Sequence, residues 1–134
     1  MTQNSWQLGG PEEKTIIVNN EDQLEQELNR LHEEANKQGK SILVTLGSPS
    51  GKSLSIGLGS DMSVLSWINE KDTAPYKLSK GSLADDDEGV SFLFSNQESE
   101  FSKEALIPLS LARKAMLDFY RTQNLPNDVE WQEG

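Results

Sequence analysis

The sequence predicts an α+β fold in which a mainly antiparallel meander sheet packs against two helices. Two stretches carry apolar residues at helical spacing, and several short stretches rich in β-branched or alternating apolar residues are joined by short linkers. Short linkers favour antiparallel neighbours, because parallel strands need a long crossover connection. A chain of 134 residues is long enough for one core and too short for two, so we expect a single domain over residues 1–134.

The N-terminal segment, residues 1–14, is polar and contains two glycines and a proline, which predicts a loose lead-in. Trp6 is the exception, because a large aromatic side chain usually packs against the rest of a domain. The first strand is predicted at Thr15–Val18, where the sequence TIIV is short and β-branched.

The first helix is predicted to begin after Asn20 and to end at Gly39. Asn20 can cap the first backbone N–H groups, and Glu21 and Asp22 lie in the first turn, where the helix dipole favours anions. Its apolar stripe consists of Leu24, Leu28, Leu31 and Ala35. The opposite face is rich in glutamate and is expected to be solvated.

Three strands are predicted next, over residues 41–46, 53–58 and 62–68. The middle strand, SLSIGL, alternates apolar residues with serine and glycine. This period of two indicates one buried and one solvated face. Because the linkers are short, the strands are expected to form an antiparallel meander.

The second half of the sequence alternates irregular and regular segments. Residues 70–89 show no sustained pattern and are expected to form a long loop that ends in consecutive acids. A strand is predicted at Val90–Phe94, and Ile107 is expected to be extended because a proline follows it. The second helix is predicted with Ser110 as its cap, and a last strand at residues 129–132.

The stretch GSPSGKS at residues 47–53 ends in the same letters as a nucleotide-binding P-loop. A P-loop needs a glycine where this chain has Leu46, and it needs a following helix whose N-terminus holds the phosphates. Here Lys52 and Ser53 lead into a predicted strand. We therefore interpret the stretch as a hairpin turn and Lys52 as a surface charge, which favours a binding protein over an enzyme.

The composition excludes several classes of site and partner. The chain has no cysteine, which excludes disulfides, zinc–thiolate sites and cysteine nucleophiles. Twelve basic and 22 acidic residues give a net charge of −10, which disfavours nucleic acid and anionic lipid as partners and favours basic ones. The N-terminus lacks a secretory signal pattern and no apolar run approaches the roughly 20 residues of a membrane span. We expect a cytoplasmic protein without a cofactor.

His32 is the only histidine in the sequence. A catalytic histidine needs a nucleophile or a metal partner, and Asn36, one turn further along the helix, is a poor metal ligand. A histidine on the helix surface is therefore favoured.

The long loop ends in an acidic run that consists of Asp85, Asp86, Asp87 and Glu88. It lacks the alternating ligands, central glycine and terminal glutamate of a calcium-binding loop. Glu98 and Glu100 continue the acid density beyond the next strand. Two interpretations remain open, a solvated loop and an anionic surface for a basic partner.

The C-terminal third carries a more specific pattern. An extended Ile-Pro-Leu step is followed by a helix with two alanines three residues apart, an aromatic residue and a closing Val-x-Trp-Gln. The residues of this pattern are Ile107, Pro108, Leu109, Ala112, Ala115, Phe119, Thr122, Pro126, Val129, Trp131 and Gln132. The pattern resembles the first-numbered family of immunity proteins from bacterial polymorphic toxin systems, and the segment LSIGLGSDMSVLSW resembles that family's glycine-containing hairpin. Gln123 stands where that family usually has glycine, and Leu125 where it usually has arginine.

The resemblance implies a small, non-catalytic α+β protein that binds a cognate toxin and blocks its active site. Toxins paired with the family include nucleic-acid deaminases and nucleases, whose basic clefts would suit an acidic inhibitor. The alternative function is an acidic protein-interaction adaptor without a toxin partner.

The resemblance does not fix the toxin-binding surface, so we predict it from charge and aromatic content. The predicted electrostatic rim consists of Asp85, Asp86, Asp87, Glu88, Glu98 and Glu100. Tyr76 or Trp67, if exposed, is predicted to be an aromatic anchor, because binding hot spots favour such residues.

Overall fold

The computed structural model describes residues 6–9, 15–49, 52–59, 62–69, 77–80, 90–94, 97–101, 105–123, 125–127 and 129–133. Within these ranges it has two helices, α1 (Glu21–Lys37) and α2 (Leu109–Thr122). The strands are β1 (Trp6–Gly9), β2 (Thr15–Val18), β3 (Ile42–Gly47), β4 (Lys52–Leu58), β5 (Met62–Ser63), β6 (Leu65–Asn69), β7 (Lys77–Lys80), β8 (Val90–Phe94), β9 (Gln97–Phe101), β10 (Ile107–Pro108) and β11 (Glu130–Glu133).

The main sheet has the strand order β11-β7-β6-β4-β3-β1-β2, and every neighbouring pair along this order is antiparallel. Strand β8 joins it through a parallel pairing of Leu93 with Ile42 of β3, and it carries β9 as an antiparallel partner. Strands β5 and β10 form a separate two-stranded sheet. Both helices pack on the main sheet, so the predicted α+β fold with a mainly antiparallel sheet is confirmed.

The hairpin of β3 and β4 lies in the middle of the main sheet. Its register places Gly47 opposite Ser53, so the stretch GSPSGKS spans the connection between two antiparallel strands, as predicted. Because side chains alternate along a strand, the two faces of this hairpin are buried by different elements. Leu46 and Leu54 belong to the large core under the helices, whereas Leu43 packs in a small cluster with Val64, Ala105 and Leu106.

Both ends of α1 form as the sequence predicts. The Oδ1 atom of Asn20 accepts a hydrogen bond of 2.8 Å from the Gln23 N–H. At the other end Gly39 has φ +68°, a conformation that suits glycine. The N–H groups of Gly39 and Lys40 donate to the carbonyls of Asn36 and Ala35, which satisfies the end of the helix.

Helix α2 begins earlier than the sequence predicts. Ser110 is its second residue and not its cap, because the helix begins at Leu109 directly after Pro108. Pro108 has φ −60° and ψ 142°, which is the extended conformation of a residue that precedes a helix. The predicted extended step at Ile107 is confirmed by strand β10.

Three strands lie in segments where the sequence predicts no strand. The loose lead-in is wrong for Trp6–Gly9, which form β1 between β2 and β3. The long loop over 70–89 is interrupted by Lys77–Lys80, and a further strand follows at Gln97–Phe101. All three strands are short, and β7 and β9 lack apolar alternation. In β1 only Trp6 and Leu8 alternate with Gln7 and Gly9, and so short a run next to further glycine and proline does not predict a strand.

The strand predicted over residues 62–68 is divided at Val64. Strand β5 pairs with β10, whereas β6 pairs with β4 in the main sheet. The carbonyl of Val64 accepts a bond of 3.0 Å from the Gly57 N–H, and the Ser63 hydroxyl donates to the Gly57 carbonyl at 2.7 Å. The chain therefore changes sheets at a point that is bonded to β4.

Candidate functional site

Two of the six predicted rim residues lie on strand β9. Glu98 is paired with Leu93 and Glu100 with Ser91 in the antiparallel hairpin of β8 and β9. The same Leu93 position pairs with Ile42 of β3, the strand at the centre of the sheet. The fold thus attaches a hairpin with two glutamates to a central strand.

The remaining rim residues, Asp85, Asp86, Asp87 and Glu88, lie outside the described residues, as does Tyr76. The first residue of β8, Val90, is paired with Phe101, so the chain enters the hairpin next to Glu100. Residues 85–104 contain seven acidic residues and one lysine, a net charge of −6 out of −10 for the chain. Most of the excess negative charge therefore belongs to the hairpin and the segments that flank it in sequence.

Trp67 does not meet the condition of exposure that an aromatic anchor requires. Trp67 is 9% exposed, and its ring packs edge-on against the ring of Phe119 with 5.3 Å between the ring centroids. The Trp6 ring also packs on Phe119, with 5.1 Å between the ring centroids, which confirms that Trp6 packs on the core. Trp67 pairs with Leu54 on the face of the sheet that packs against the helices. It is therefore not part of the predicted toxin-binding surface.

Lys52, the lysine of the GSPSGKS stretch, joins the hairpin to the end of α2. Its Nζ atom donates a bond of 3.0 Å to the carbonyl of Gln123, the residue that follows α2. A cation at this position complements the negative end of the helix dipole. The prediction of a plain surface charge is therefore wrong, since this lysine is half-buried and stabilises the packing of α2 on the sheet.

His32 is also more than a surface residue. Its Nδ1 atom accepts a bond of 2.9 Å from the Gly59 N–H, and the Asn36 side chain donates to the Gly59 carbonyl at 3.0 Å. Gly59 has φ +107°, and a Cβ atom there would lie 2.2 Å from the Lys40 carbonyl oxygen. The two side chains of α1 thus hold a backbone position at the end of β4 that only glycine can occupy.

The carboxylates of α1 make ion pairs along the helix. Arg30 bonds to Glu27 at 2.7 Å and also pairs with Glu34. The hydrogen bond to Glu27 raises the pKa of Arg30. Pairs at these spacings stabilise an exposed helix face, which agrees with the solvated face that the sequence predicts.

A further ion pair joins the two helices. Arg121, near the end of α2, donates to both carboxylate oxygens of Glu21 at 2.6 and 2.7 Å. This hydrogen bonding lowers the pKa of Glu21 and raises the pKa of Arg121. The two residues are 100 positions apart, so no local sequence signal indicates the pair.

The described ranges contain no group of three histidine or carboxylate side chains that could hold a metal ion. Within the same ranges, neither helix combines the length and apolar character needed to cross a membrane.

The sequence matches the family model described as Immunity protein Imm1 over residues 12–133. The chain belongs to the Immunity protein Imm1 family. The match extends over most of the chain, and it confirms the resemblance first indicated by the C-terminal third. Membership points to an immunity protein that acts against a toxin. Comparison with curated proteins found no match.

The residues that carry the resemblance to the Imm1 family lie mainly in the core. Ala112, Ala115 and Phe119 of α2 are fully buried against the sheet. Trp131 donates from its indole Nε1 atom to the Pro126 carbonyl at 2.8 Å, and Gln132 donates to the Ser79 carbonyl at 3.1 Å. These contacts of the family residues stabilise the C-terminal half of the fold.

Gln123 occupies the position where the resemblance expects glycine. It has φ 59° and ψ 25°, the left-handed conformation that commonly ends a helix, and its N–H donates to the Phe119 carbonyl at 2.7 Å. This Imm1 chain thus keeps the backbone conformation without the residue that adopts it most easily.

Proposed function

We propose that this chain binds a cognate bacterial toxin and neutralises it by covering the toxin's active site. The observation that carries the proposal is the Imm1 family match over residues 12–133. We further propose that the toxin acts on nucleic acid, as a deaminase or a nuclease. An enzyme that binds nucleic acid needs a basic cleft for the phosphates, and an acidic protein of net charge −10 is complementary to such a cleft.

The proposed contact surface is the acidic hairpin, by which we mean strands β8 and β9 with the acidic run at residues 85–88. Its support is the concentration of net charge in residues 85–104 and the backbone register that places Glu98 and Glu100 on one strand. Charges of opposite sign across an interface accelerate association and select the right partner. The rim of the proposed surface is therefore electrostatic, and its aromatic anchor is Tyr76.

In this proposal the whole chain acts as one binding domain and carries out no chemistry of its own. Occupying the cleft is sufficient to exclude the nucleic acid. We place the encounter in the cytoplasm, because the toxin's substrates are there.

Co-expression with the toxin encoded by the neighbouring gene tests the proposed function. We expect this chain to restore growth of cells that produce the toxin and to co-purify with it in equal amounts. An inactive toxin variant should still co-purify, which separates binding from survival. An unrelated protein of similar size and negative charge should not restore growth.

The alternative of an acidic adaptor predicts a different result in the same experiment. An adaptor would bind a basic partner and leave the toxin active, so cells would die although the chain is present. Loss of growth at matched expression of a folded chain would overturn the proposed function.

A further inference from the structure

Strand β2 lies at one end of the main sheet, next to β1. Its sequence TIIV is uncharged and β-branched, and Ile17 in its middle is 41% exposed. An end strand presents backbone N–H and C=O groups that can pair with a strand of another molecule. The shortness of β2 limits such pairing, but the strand carries no charged side chain to oppose it.

A side chain from α1 covers the backbone groups at the end of β2. The Nε2 atom of Gln23 donates a bond of 3.0 Å to the Ile17 carbonyl, and its Oε1 atom accepts one of 2.8 Å from the Asn19 N–H. Both backbone groups are therefore bonded to the Gln23 side chain. A strand added antiparallel to this edge would donate an N–H to the Ile17 carbonyl, which already accepts from Gln23.

The side-chain amide of glutamine has the same donor and acceptor as a peptide group. Gln23 therefore takes the place that a peptide of an added strand would occupy. Its position is fixed by the cap of α1, since its own N–H donates to the Asn20 Oδ1 atom at 2.8 Å. The short turn between β2 and α1 thus holds the side-chain amide of Gln23 against the outer edge of β2.

We propose that Gln23 closes the outer edge of β2 against the β2 strand of a second copy of this chain. A second copy is the partner that the edge fits, because TIIV carries no charge and two copies can pair antiparallel without opposing their acids. Such a pair would place the two exposed Ile17 side chains next to each other. The inference does not depend on the toxin or on the acidic hairpin.

Sedimentation velocity over a range of concentrations tests this role, with circular dichroism to verify folding. We expect Gln23→Ala to self-associate, with its mass rising from 14.9 kDa toward that of a dimer. The matched control is Gln26→Ala, an exposed glutamine on the same helix, which should sediment like the parent. Adding Ile17→Lys to Gln23→Ala should restore the parent mass, because a charge on an edge strand opposes pairing.

The variant Gln23→Met keeps an uncharged side chain of similar length but loses both the donor to Ile17 and the acceptor for Asn19, so it provides a second test if Gln23→Ala does not fold. A folded Gln23 variant with the parent's mass at every concentration would overturn the proposal. Self-association of the parent through Ile17 would overturn it as well, since the edge would then already be open.

Discussion

Gln123 and Gly59 both hold backbone conformations with positive φ, but only one of them is glycine. Gly59 has no alternative, because the Lys40 carbonyl occupies the space of a Cβ atom. Gln123 adopts φ 59° at the end of α2, where its backbone bonds to Phe119 and Lys52 outweigh the strain of a left-handed side-chain-bearing residue.

Replacing Gln123 with glycine is therefore expected to stabilise the fold by about 0.5–1 kcal/mol, because strain is released and part of the gain is offset by the freedom of glycine in the unfolded chain. Urea denaturation measures the change. The bonds to Phe119 and Lys52 use the backbone of residue 123, so they persist in the variant. The control Gln123→Ala keeps the Cβ atom and should stay within about 0.5 kcal/mol of the parent. If Gln123→Gly is less stable than both the parent and Gln123→Ala, the backbone of Gln123 is not strained.

At the scale of the elements, Glu21 and Arg121 join the beginning of α1 to the end of α2. Each charge also complements the dipole of its own helix, with the anion in the first turn and the cation in the last. The pair therefore fixes the relative position of two helices that pack on the same sheet.

This pair predicts a specific dependence of stability on pH. The pKa of Glu21 is lowered on folding, so its ionised form contributes to the free energy of unfolding. This stabilisation is complete above the ordinary glutamate pKa of about 4.3 and is lost as the pH falls through the lower pKa of Glu21 in the folded protein. The stability difference between the parent and Glu21→Gln should therefore be largest near neutral pH and shrink in acid. Urea denaturation at several pH values measures it.

Asp22→Asn is the matched control, since it removes an exposed carboxylate from the same first turn and leaves Arg121 paired with Glu21. A difference between parent and Glu21→Gln that stays constant from neutral pH into acid would contradict the role of the ion pair.

The elements that the sequence predicts well are those with their own local signals. Helix α1 has a capping asparagine and a C-terminal glycine, and β4 has a clear alternation of apolar residues. Strand β7 has the sequence KLSK, and its buried residue is Ser79, whose hydroxyl bonds to the Leu65 N–H and the Ala105 carbonyl. A buried serine satisfied by distant backbone groups looks like a loop residue in the sequence, so tertiary contacts alone decide this strand.

At the scale of the whole molecule, the charge of the proposed surface is predictable from the sequence, whereas the burial of individual side chains is not. The acidic residues of the predicted rim are visible in the sequence as a local excess of charge. The burial of Trp67 is not visible, because it depends on the register that places this residue on the inner face beside Phe119. The family pattern does not indicate a binding surface either, since most of its residues are buried in the core.

Charge reversal of the acidic run tests the proposed surface. Replacing Asp85, Asp86 and Asp87 with lysine should slow association with the toxin by about 10-fold or more at low salt and should weaken its dependence on ionic strength. The reason is that steering between exposed charges acts over a Debye length of about 8 Å at physiological salt. Stopped-flow or surface-binding kinetics over a series of salt concentrations measure both quantities.

The matched control reverses three carboxylates on the exposed face of α1 instead, at Asp22, Glu25 and Glu33, and so makes the same change in net charge. If total charge alone governs association, both triple variants slow it equally. If the acidic hairpin faces the toxin, the variant at residues 85–87 slows it far more, since the effect of a charge depends on its distance from the cleft. Unchanged binding and protection by the Asp85, Asp86 and Asp87 variant would show that the toxin is bound by another surface.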